Sequence, residues 1–255
     1  MENDWKEGDL MNKKGLLIKS YITQKLTSYK NFMLIEKMPE FQLIIDDTKV
    51  FASHNYDVKN DKHSLIVGPN ITKMEGILFH EFTHIYDVMK ISAKDANSYA
   101  KNRGFTEYHA AQIELLKLLN AKNIEDKLSF SLKQSIKTPF GDTTVLDYIF
   151  KCVEGARESI LEDIPPDNIN YLLNTLGIIF NHLGRISICQ LYAYDYERFK
   201  EKLEELDFAI SFLGEDSLKI ISMTKGFLTD NEIKDLGESY FPMVNELINK
   251  YNIQL

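Results

Sequence analysis

The chain has 255 residues, 44% of them hydrophobic, and a formal net charge of −8 at pH 7. This length and hydrophobic share allow either one large domain or two modest ones with a buried core. The acidic balance argues against nucleic acid as the main partner and provides no basic patch for an anionic membrane. Two cysteines, Cys152 and Cys189, are too few for a disulfide framework, which favours a reducing compartment.

The location of the protein is indicated by its first residues and by the length of its apolar runs. Residues 1–7 are polar and acidic, unlike a secretory signal. No apolar run approaches the roughly 20 residues that a membrane-spanning helix requires. We therefore expect a soluble, cytoplasmic protein with no nucleic-acid partner and no membrane partner.

The first part of the chain predicts a helix followed by three short strands. Residues 12–30 repeat apolar side chains with helical spacing. Residues 41–45 and 49–52 have the pattern of two strands joined by a turn at two aspartates. Residues 64–67 form a third, β-branched segment that ends at a Gly-Pro pair. A small sheet is expected from these three segments.

The third strand comes directly before the next predicted helix, which suggests two alternative roles for it. Residues 63–68 are a candidate exposed sheet edge, to which an extended peptide could add as one more strand. An ordinary internal strand is the alternative.

The next helix has a predicted start and a predicted buried face. Thr72 and Glu75 fit a capping box, T-x-x-E, ahead of an apolar run. The helix is expected to continue to about residue 91. Its predicted core-facing stripe consists of Leu78, Phe82, Ile85 and Met89.

This helix contains an H-E-x-x-H motif. His80 and His84 are four residues apart and therefore project from one helical face on adjacent turns, the spacing that places two nitrogens on one zinc ion. Glu81 lies beside such a metal without being forced to ligate it. There it can take a proton from a metal-activated water. The motif therefore predicts a zinc-dependent hydrolase, most simply a peptidase.

A catalytic zinc site usually has three protein ligands and one open position. The residues that compete for the third place are Asp87, Glu107, His109 and Glu114. Asp87 shares the helical face but lies about 10.5 Å along the axis from His80, so a place beside the ligands suits it better. His109 is two residues from Glu107 and so faces elsewhere on its helix.

Glu107 is the preferred third ligand. It stands in the first turn of a predicted second helix of about residues 106–120, which the preceding gap allows to fold back against the first. Ala110 and Ala111 are small, so the two helices can approach closely. Glu114 lies two turns further on the same face, where it could replace Glu107 or hydrogen-bond a metal-bound histidine.

The remainder of the chain predicts helix almost throughout. The expected segments are 144–162, 168–183, 187–213, 215–225 and 229–250. Together with the small sheet, this pattern predicts an α+β fold. We expect a catalytic core over residues 1–125 and an all-helical region over residues 126–255 packed on that core.

His182 and a group of three tyrosines each allow two interpretations. Either could donate a hydrogen bond to a reacting oxygen in the site. Packing within the helical region is the more economical expectation for both. The tyrosines are Tyr192, Tyr194 and Tyr196.

The extended motif resembles a known group of enzymes. The segment His80–Asp87, H-E-F-T-H-I-Y-D, followed by T-E-Y-H-A-A from Thr106 to Ala111, resembles the gluzincin group of zinc metallopeptidases. Within that group it is similar to the mitochondrial peptidases that process an ATP synthase subunit. The E-x-x-A element is also similar to the ImmA/IrrE-type peptidases of bacteria and their mobile elements. The matched region covers roughly residues 40–120.

The resemblance carries expectations about the site and the fold. It implies His80, His84 and Glu107 as ligands of a Zn²⁺ ion, with Glu81 as general base and later proton donor. It also implies a zincin-like core of one backing helix, a three-stranded sheet, the H-E-x-x-H helix and a glutamate helix. The expected substrate is a peptide or protein. Two alternatives remain: a metal-containing regulatory or protein-binding module without catalysis, and a helical interaction protein with a fortuitous motif.

Overall fold

The computed structural model describes residues 7–92, 94–138, 141–162, 168–214 and 216–253. The fold is α+β, as predicted, with a small three-stranded sheet and a largely helical C-terminal region. The helices are α1 (Glu7–Met33), α2 (Glu75–Ile91), α3 (Ala96–Leu118), α4 (Val145–Glu162), α5 (Ile169–Tyr192), α6 (Tyr196–Leu203), α7 (Asp207–Leu213), α8 (Asp216–Met223) and α9 (Asp230–Lys250). The strands are β1 (Phe41–Ile45), β2 (Ala52–Asp57), β3 (Lys62–Val67), β4 (Ser135–Thr138) and β5 (Gly141–Thr144). Within the described ranges, no helix combines the length and apolar character that crossing a membrane requires.

The three-stranded sheet has β3 in its centre, in the order β1-β3-β2. β3 pairs in parallel with β1 and antiparallel with β2. The prediction that residues 63–68 form an exposed edge is therefore wrong, and the internal-strand alternative is correct. Leu65 and Val67 are completely buried, because alternate side chains of the strand point to one face, and that face belongs to the hydrophobic cluster with α1 and α2. The edges of this sheet are β1 and β2.

The second strand lies later in the chain than predicted. Residues 49–52 were expected to return along β1, but β2 begins at Ala52 and pairs with β3 instead. The apolar side chains that suggested the earlier strand, Val50 and Phe51, are exposed. They follow a turn in which the Asp46 carboxylate accepts hydrogen bonds from the backbone and the hydroxyl of Thr48.

The start of α2 lacks the predicted capping box. Thr72 lies in a separate 3-10 turn, and no side chain caps the helix. Glu75 instead forms ion pairs with Lys25 of α1, at 3.0 Å, and Lys117 of α3, at 3.2 Å. Its carboxylate therefore connects three helices rather than closing its own first turn, although its charge still suits a helix N-terminus.

α2 and α3 form an antiparallel helical hairpin with a short connection. The second helix begins at Ala96, ten residues before the predicted start, so Glu107 lies in its middle and not in its first turn. Asp95 caps this helix by accepting hydrogen bonds from the backbone N–H groups of Asn97 and Ser98. Because α3 starts early, the connection between α2 and α3 is short, and the prediction of a long linker between them is wrong.

Gly104 explains why the sequence pattern misplaced this start. Glycine is unfavourable inside a helix and suggests a boundary. Here a Cβ atom at Gly104 would lie 2.7 Å from the Tyr240 ring of α9 and 2.9 Å from the Phe180 ring of α5. The glycine therefore serves close packing of three helices rather than a helix end.

α3 contributes to both hydrophobic clusters of the molecule. Ile113, Leu115 and Leu116 belong to the cluster that includes α1, the three-stranded sheet and α2. Phe105 and Tyr108 belong to the cluster formed with the C-terminal helices. Both clusters draw on residues from either side of position 125, and the division into regions 1–125 and 126–255 stays a prediction.

The helix predicted over 187–213 is three helices. α5 continues through residue 187 to Tyr192, and α6 and α7 follow after short breaks. The first break coincides with a bridge, in which the N–H of Tyr194 donates to the carbonyl of Phe130. Asp195 then accepts hydrogen bonds from the Ser131 hydroxyl and the Leu132 N–H. These contacts between distant segments end a helix that the local pattern would continue.

Close packing of α5 on α3 is testable at Gly184. A Cβ atom at Gly184 would collide with the carbonyl oxygen of Tyr108, and backbone cannot yield as a flexible side chain can. We expect Gly184→Ala to reduce the free energy of unfolding by about 2 kcal/mol or more. The matched control is Gly155→Ala in α4, where a Cβ atom meets nothing within 4 Å. Chemical denaturation should show this control to be neutral or up to about 1 kcal/mol more stable; equal effects of the two substitutions would contradict the packing.

Candidate metal centre

The motif residues project from α2 at the side of its buried stripe. Leu78, Phe82 and Ile85 are completely buried, as predicted, and hold this helix against the core. Met89 is exposed, contrary to the prediction, and its neighbour Val88 is buried near the C-terminal end of the helix. His80 and His84 each have side chains only 12% exposed.

The structure brings Glu107 of α3 to the two histidines of α2. Its Oε2 atom lies 3.8 Å from His80 Nε2 and 3.5 Å from His84 Nε2. One ligand atom from each residue lies within 4.8 Å of the others. The side chain of Glu107 is 21% exposed, so the cluster is largely removed from water. These three residues are therefore the group that could hold a metal ion.

The spacing of these atoms fits a small divalent cation. Ligand bonds of 2.0–2.2 Å at tetrahedral angles separate ligand atoms by about 3.3–3.6 Å, close to the 3.8 and 3.5 Å between Glu107 Oε2 and the two histidine nitrogens. Two imidazoles and one carboxylate are a common donor set for catalytic zinc. All three ligand atoms lie within 4.8 Å of one another, so a tetrahedral site would require the side chains to move closer together.

The electrostatics of the cluster favour a cation. Burial opposes ionisation of Glu107, but His84 and His80 outweigh burial and hold the pKa of this carboxyl well below its usual range. Burial also lowers the pKa of His80, but Glu107 and Glu114 raise it to about 10. The carboxylates of Glu107 and Glu114 are thus stabilised by a positive charge between them, and either a proton or a metal ion supplies that charge.

Glu114 supports His80 from the other side of the ring. Its Oε2 atom lies 3.3 Å from His80 Nδ1, a buried atom that has no partner of regular hydrogen-bond geometry among the described residues. Glu114 also accepts hydrogen bonds from Arg185, at 2.9 Å, and from the hydroxyl of Tyr148, at 2.6 Å. Of its two predicted roles, contact with a candidate ligand histidine is the one that the structure supports. A carboxylate there orients the ring and leaves Nε2 for a metal.

Asp87 and His109 pair with each other rather than joining the cluster. Both carboxylate oxygens of Asp87 lie within hydrogen-bond distance of His109 Nδ1, at 3.0 and 2.9 Å. The pair joins α2 to α3 close to the candidate ligands. Asp87 is therefore not part of the candidate ligand group, and its predicted place beside the ligands stays a prediction, while His109 is a partner that the sequence pattern had assigned to another face.

Helix α5 completes the surroundings of Glu107. Asn181 Nδ2 donates a hydrogen bond to Glu107 Oε2 at 3.1 Å. Gly177 leaves room for the same carboxylate, since a Cβ atom there would lie 3.3 Å from it. Ala111, expected to face α2, instead packs against Gly184 of α5. The position of Glu107 therefore depends on a helix from the C-terminal region.

Glu81 follows His80 on α2 and is a buried carboxylate. Its residue is only 8% exposed, and it lies on α2 between the two histidines. The pKa of Glu81 is raised, chiefly by burial and also by Glu107. His84, His80 and a hydrogen bond from the backbone of His54 act in the opposite direction but do not outweigh burial. A carboxylate with a raised pKa accepts a proton more readily near neutral pH.

A small cleft of about 230 Å³ opens at the cluster. Its walls include both histidines, Glu81 and Glu107, together with residues that the sequence analysis did not select. One of these is His54 of β2, whose ring stacks on His84 with centroids 6.3 Å apart. Its Nε2 atom lies 3.0 Å from His63 Nδ1.

His54 was missed because its strand was misplaced. In the predicted scheme it fell outside any strand, so its inward-facing position could not be recognised. Burial, together with His84 and His63, lowers the pKa of His54 to about 2, which keeps the ring neutral. The missing signal was the position of β2 at residues 52–57. Because side chains alternate across a strand, this position would have indicated the face on which His54 lies.

The remaining candidates lie away from the cleft. His182 is buried, and its Nε2 atom faces the carbonyl of Leu203 at 3.3 Å. The Tyr196 hydroxyl donates a hydrogen bond to Glu204, and Tyr194 is exposed. Tyr192 packs against the hydrophobic cluster that includes α1, the three-stranded sheet and α2. The packing interpretation therefore describes His182, Tyr192 and Tyr196.

Comparisons of the chain with protein-family models, with curated proteins and with solved structures find no match. The function of the chain is therefore inferred from the geometry of the site.

The role of Glu114 is testable through metal affinity. Because its carboxylate orients His80, we expect Glu114→Gln to weaken Zn²⁺ binding by about 10–100-fold. Competition with a chromophoric chelator measures this affinity. Glu75→Gln is the matched control, since it removes an ion-paired carboxylate from the same pair of helices without touching the cluster. Equal affinities for wild type and Glu114→Gln would show that this contact does not support the site.

Proposed function

We propose that the chain is a zinc-dependent peptidase. The observation that carries this proposal is the convergence of His80, His84 and Glu107 at one wall of a cleft that also includes Glu81. A metal-binding group and an adjacent buried carboxylate are the two parts that metal-assisted hydrolysis requires.

Zinc is the proposed metal because of the donor set. Two imidazole nitrogens suit zinc better than magnesium or calcium, which prefer oxygen ligands. Three protein ligands also leave one coordination position open, as catalytic zinc sites do. When bound, zinc lowers the pKa of a coordinated water to about 7 and polarises a substrate carbonyl.

The chain's own residues supply the proton transfers. Glu81 accepts a proton from the attacking water and then passes it to the leaving amine, so one carboxyl serves as base and acid in turn. Its burial suits both roles, because the carboxyl gains a proton without a large change in solvation. Glu114 holds His80, and Asn181 holds Glu107, while this happens.

The surrounding elements support a zincin-like core of gluzincin type. α1 backs the sheet, α2 holds the two histidines, and α3 holds the glutamate, which is the element order that the resemblance implies. An edge strand, β2, contributes Ser53 and His54 to the cleft. In this proposal an extended peptide lies along β2, the role first expected of residues 63–68.

The direct test compares hydrolysis by wild type and Glu81→Gln. Both proteins are loaded with one equivalent of Zn²⁺ and incubated with a mixed peptide library, and cleavage is followed by mass spectrometry. We expect the substitution to lower kcat/KM by about 10²–10⁴-fold, because it removes the general base and keeps the shape of the side chain. Zinc content should be unchanged, since Glu81 is not a ligand.

Glu75→Gln serves as the control for loss of a carboxylate on the same helix, and its kcat/KM should equal that of wild type. Cleavage by Glu81→Gln at the wild-type rate would contradict the proposed mechanism. A wild-type protein that binds zinc and cleaves no peptide would instead favour a regulatory module that has kept the metal.

A further inference from the structure

Arg103 lines the cleft beside the candidate metal ligands. It precedes Glu107 by four residues on α3, so the two side chains share a helical face and their Cα atoms are about 6 Å apart along the axis. The side chain is half-buried. It lies between the two segments of the motif, His80–Asp87 and Thr106–Ala111, and no sequence pattern singled it out.

The guanidinium of Arg103 has no carboxylate partner among the described residues. Arg185, the other arginine near the cluster, pairs with Glu114 at 2.9 Å. Within the described ranges of the chain, Arg103 has no such ion pair within 4 Å. Its electrostatic neighbours include the phenols of Tyr99 and Tyr240, which are neutral near pH 7. A half-buried arginine without an anion is an available binding group for one.

The charge balance of the cleft points in the same direction. Apart from His80 and His84, which a bound metal would hold as neutral ligands, the carboxylate and guanidinium groups on its walls are Glu81, Glu107 and Arg103. With a divalent cation bound, the two carboxylates cancel the metal's charge, and Arg103 leaves one excess positive charge. The rest of the protein is acidic, with a net charge of −8. A local positive excess on an acidic protein selects anions at that place.

We infer that Arg103 binds a carboxylate of the peptide substrate, close to the bond that is cleaved. The inference rests on the proposed peptidase function. An arginine holds a carboxylate through two parallel N–H···O hydrogen bonds, which fixes direction as well as charge. Sites that enclose a whole small ligand have volumes of roughly 300–1,000 Å³. The cleft, at about 230 Å³, is smaller and therefore holds only a short part of the peptide substrate.

Two parts of a peptide could supply this carboxylate: the chain terminus and an acidic side chain. Two peptide pairs distinguish them. The first pair shares one sequence and ends in a free carboxylate or an amide. The second pair is amidated and carries Glu or Gln beside the cleaved bond. We expect zinc-loaded wild type to prefer the carboxylate member of at least one pair by about 10–100-fold in kcat/KM.

Arg103→Ala should reduce this preference to about onefold, and Arg103→Lys should restore part of it, because lysine keeps the charge but not the fork. The control is Lys101→Ala on the same helix, whose ammonium pairs with Glu238 at 2.9 Å and does not line the cleft. It should keep the wild-type preference. Zinc content and thermal unfolding of each variant separate loss of recognition from loss of the site.

Three outcomes overturn the assignment. The first is equal cleavage of both members of each pair by wild type, and the second is retention of the wild-type preference by Arg103→Ala. An equal fall on all four peptides would also overturn it and would give Arg103 a role in the chemical step. If no peptide is cleaved, the same pairs are titrated calorimetrically into zinc-loaded protein. Carboxylate-dependent binding that Arg103→Ala abolishes would then uphold the assignment while the peptidase proposal falls.

Discussion

The candidate site depends on one electrostatic interaction between two adjacent helices, that of a glutamate with two histidines. Glu107 of α3 faces His80 and His84 of α2 across the helical hairpin, and all three side chains are largely buried. Bringing three such groups out of water is unfavourable unless each has a partner. The antiparallel hairpin provides that pairing, because its short connection sets which turns of the two helices face each other. A metal ion would complete the balance more fully than a proton.

The C-terminal helices take part in this arrangement. α4 contributes Tyr148 to Glu114, and α5 contributes Arg185 to the same carboxylate and Asn181 to Glu107. Hydrogen-bonded partners of this kind orient metal ligands and determine how tightly the site can bind. The helical region is therefore part of the candidate site itself, and its removal would leave buried carboxylates without their partners.

Local features of the sequence predicted the centre of the site well and its surroundings poorly. The spacing of His80 and His84 depends only on helix geometry, so the motif alone placed them on one face. The start of α3 could not be found locally, because Gly104 is made favourable inside the helix by Tyr240 and Phe180, far along the chain. The order of the strands could not be predicted locally either, since the pairing of β3 with both neighbours depends on the whole sheet. Because β2 was misplaced in the prediction, His54 was not recognised as a residue of the cleft.

The central claim is that two imidazoles and one carboxylate share a divalent cation. The most direct measurement is X-ray absorption at the zinc edge, with elemental analysis, on protein purified without added metal. We predict about one zinc per chain, with two imidazole nitrogens and oxygen donors at about 2.0–2.2 Å. His80→Ala should lose the metal. Protein that contains no metal, takes up none, and unfolds at the same temperature with and without chelator would contradict the account.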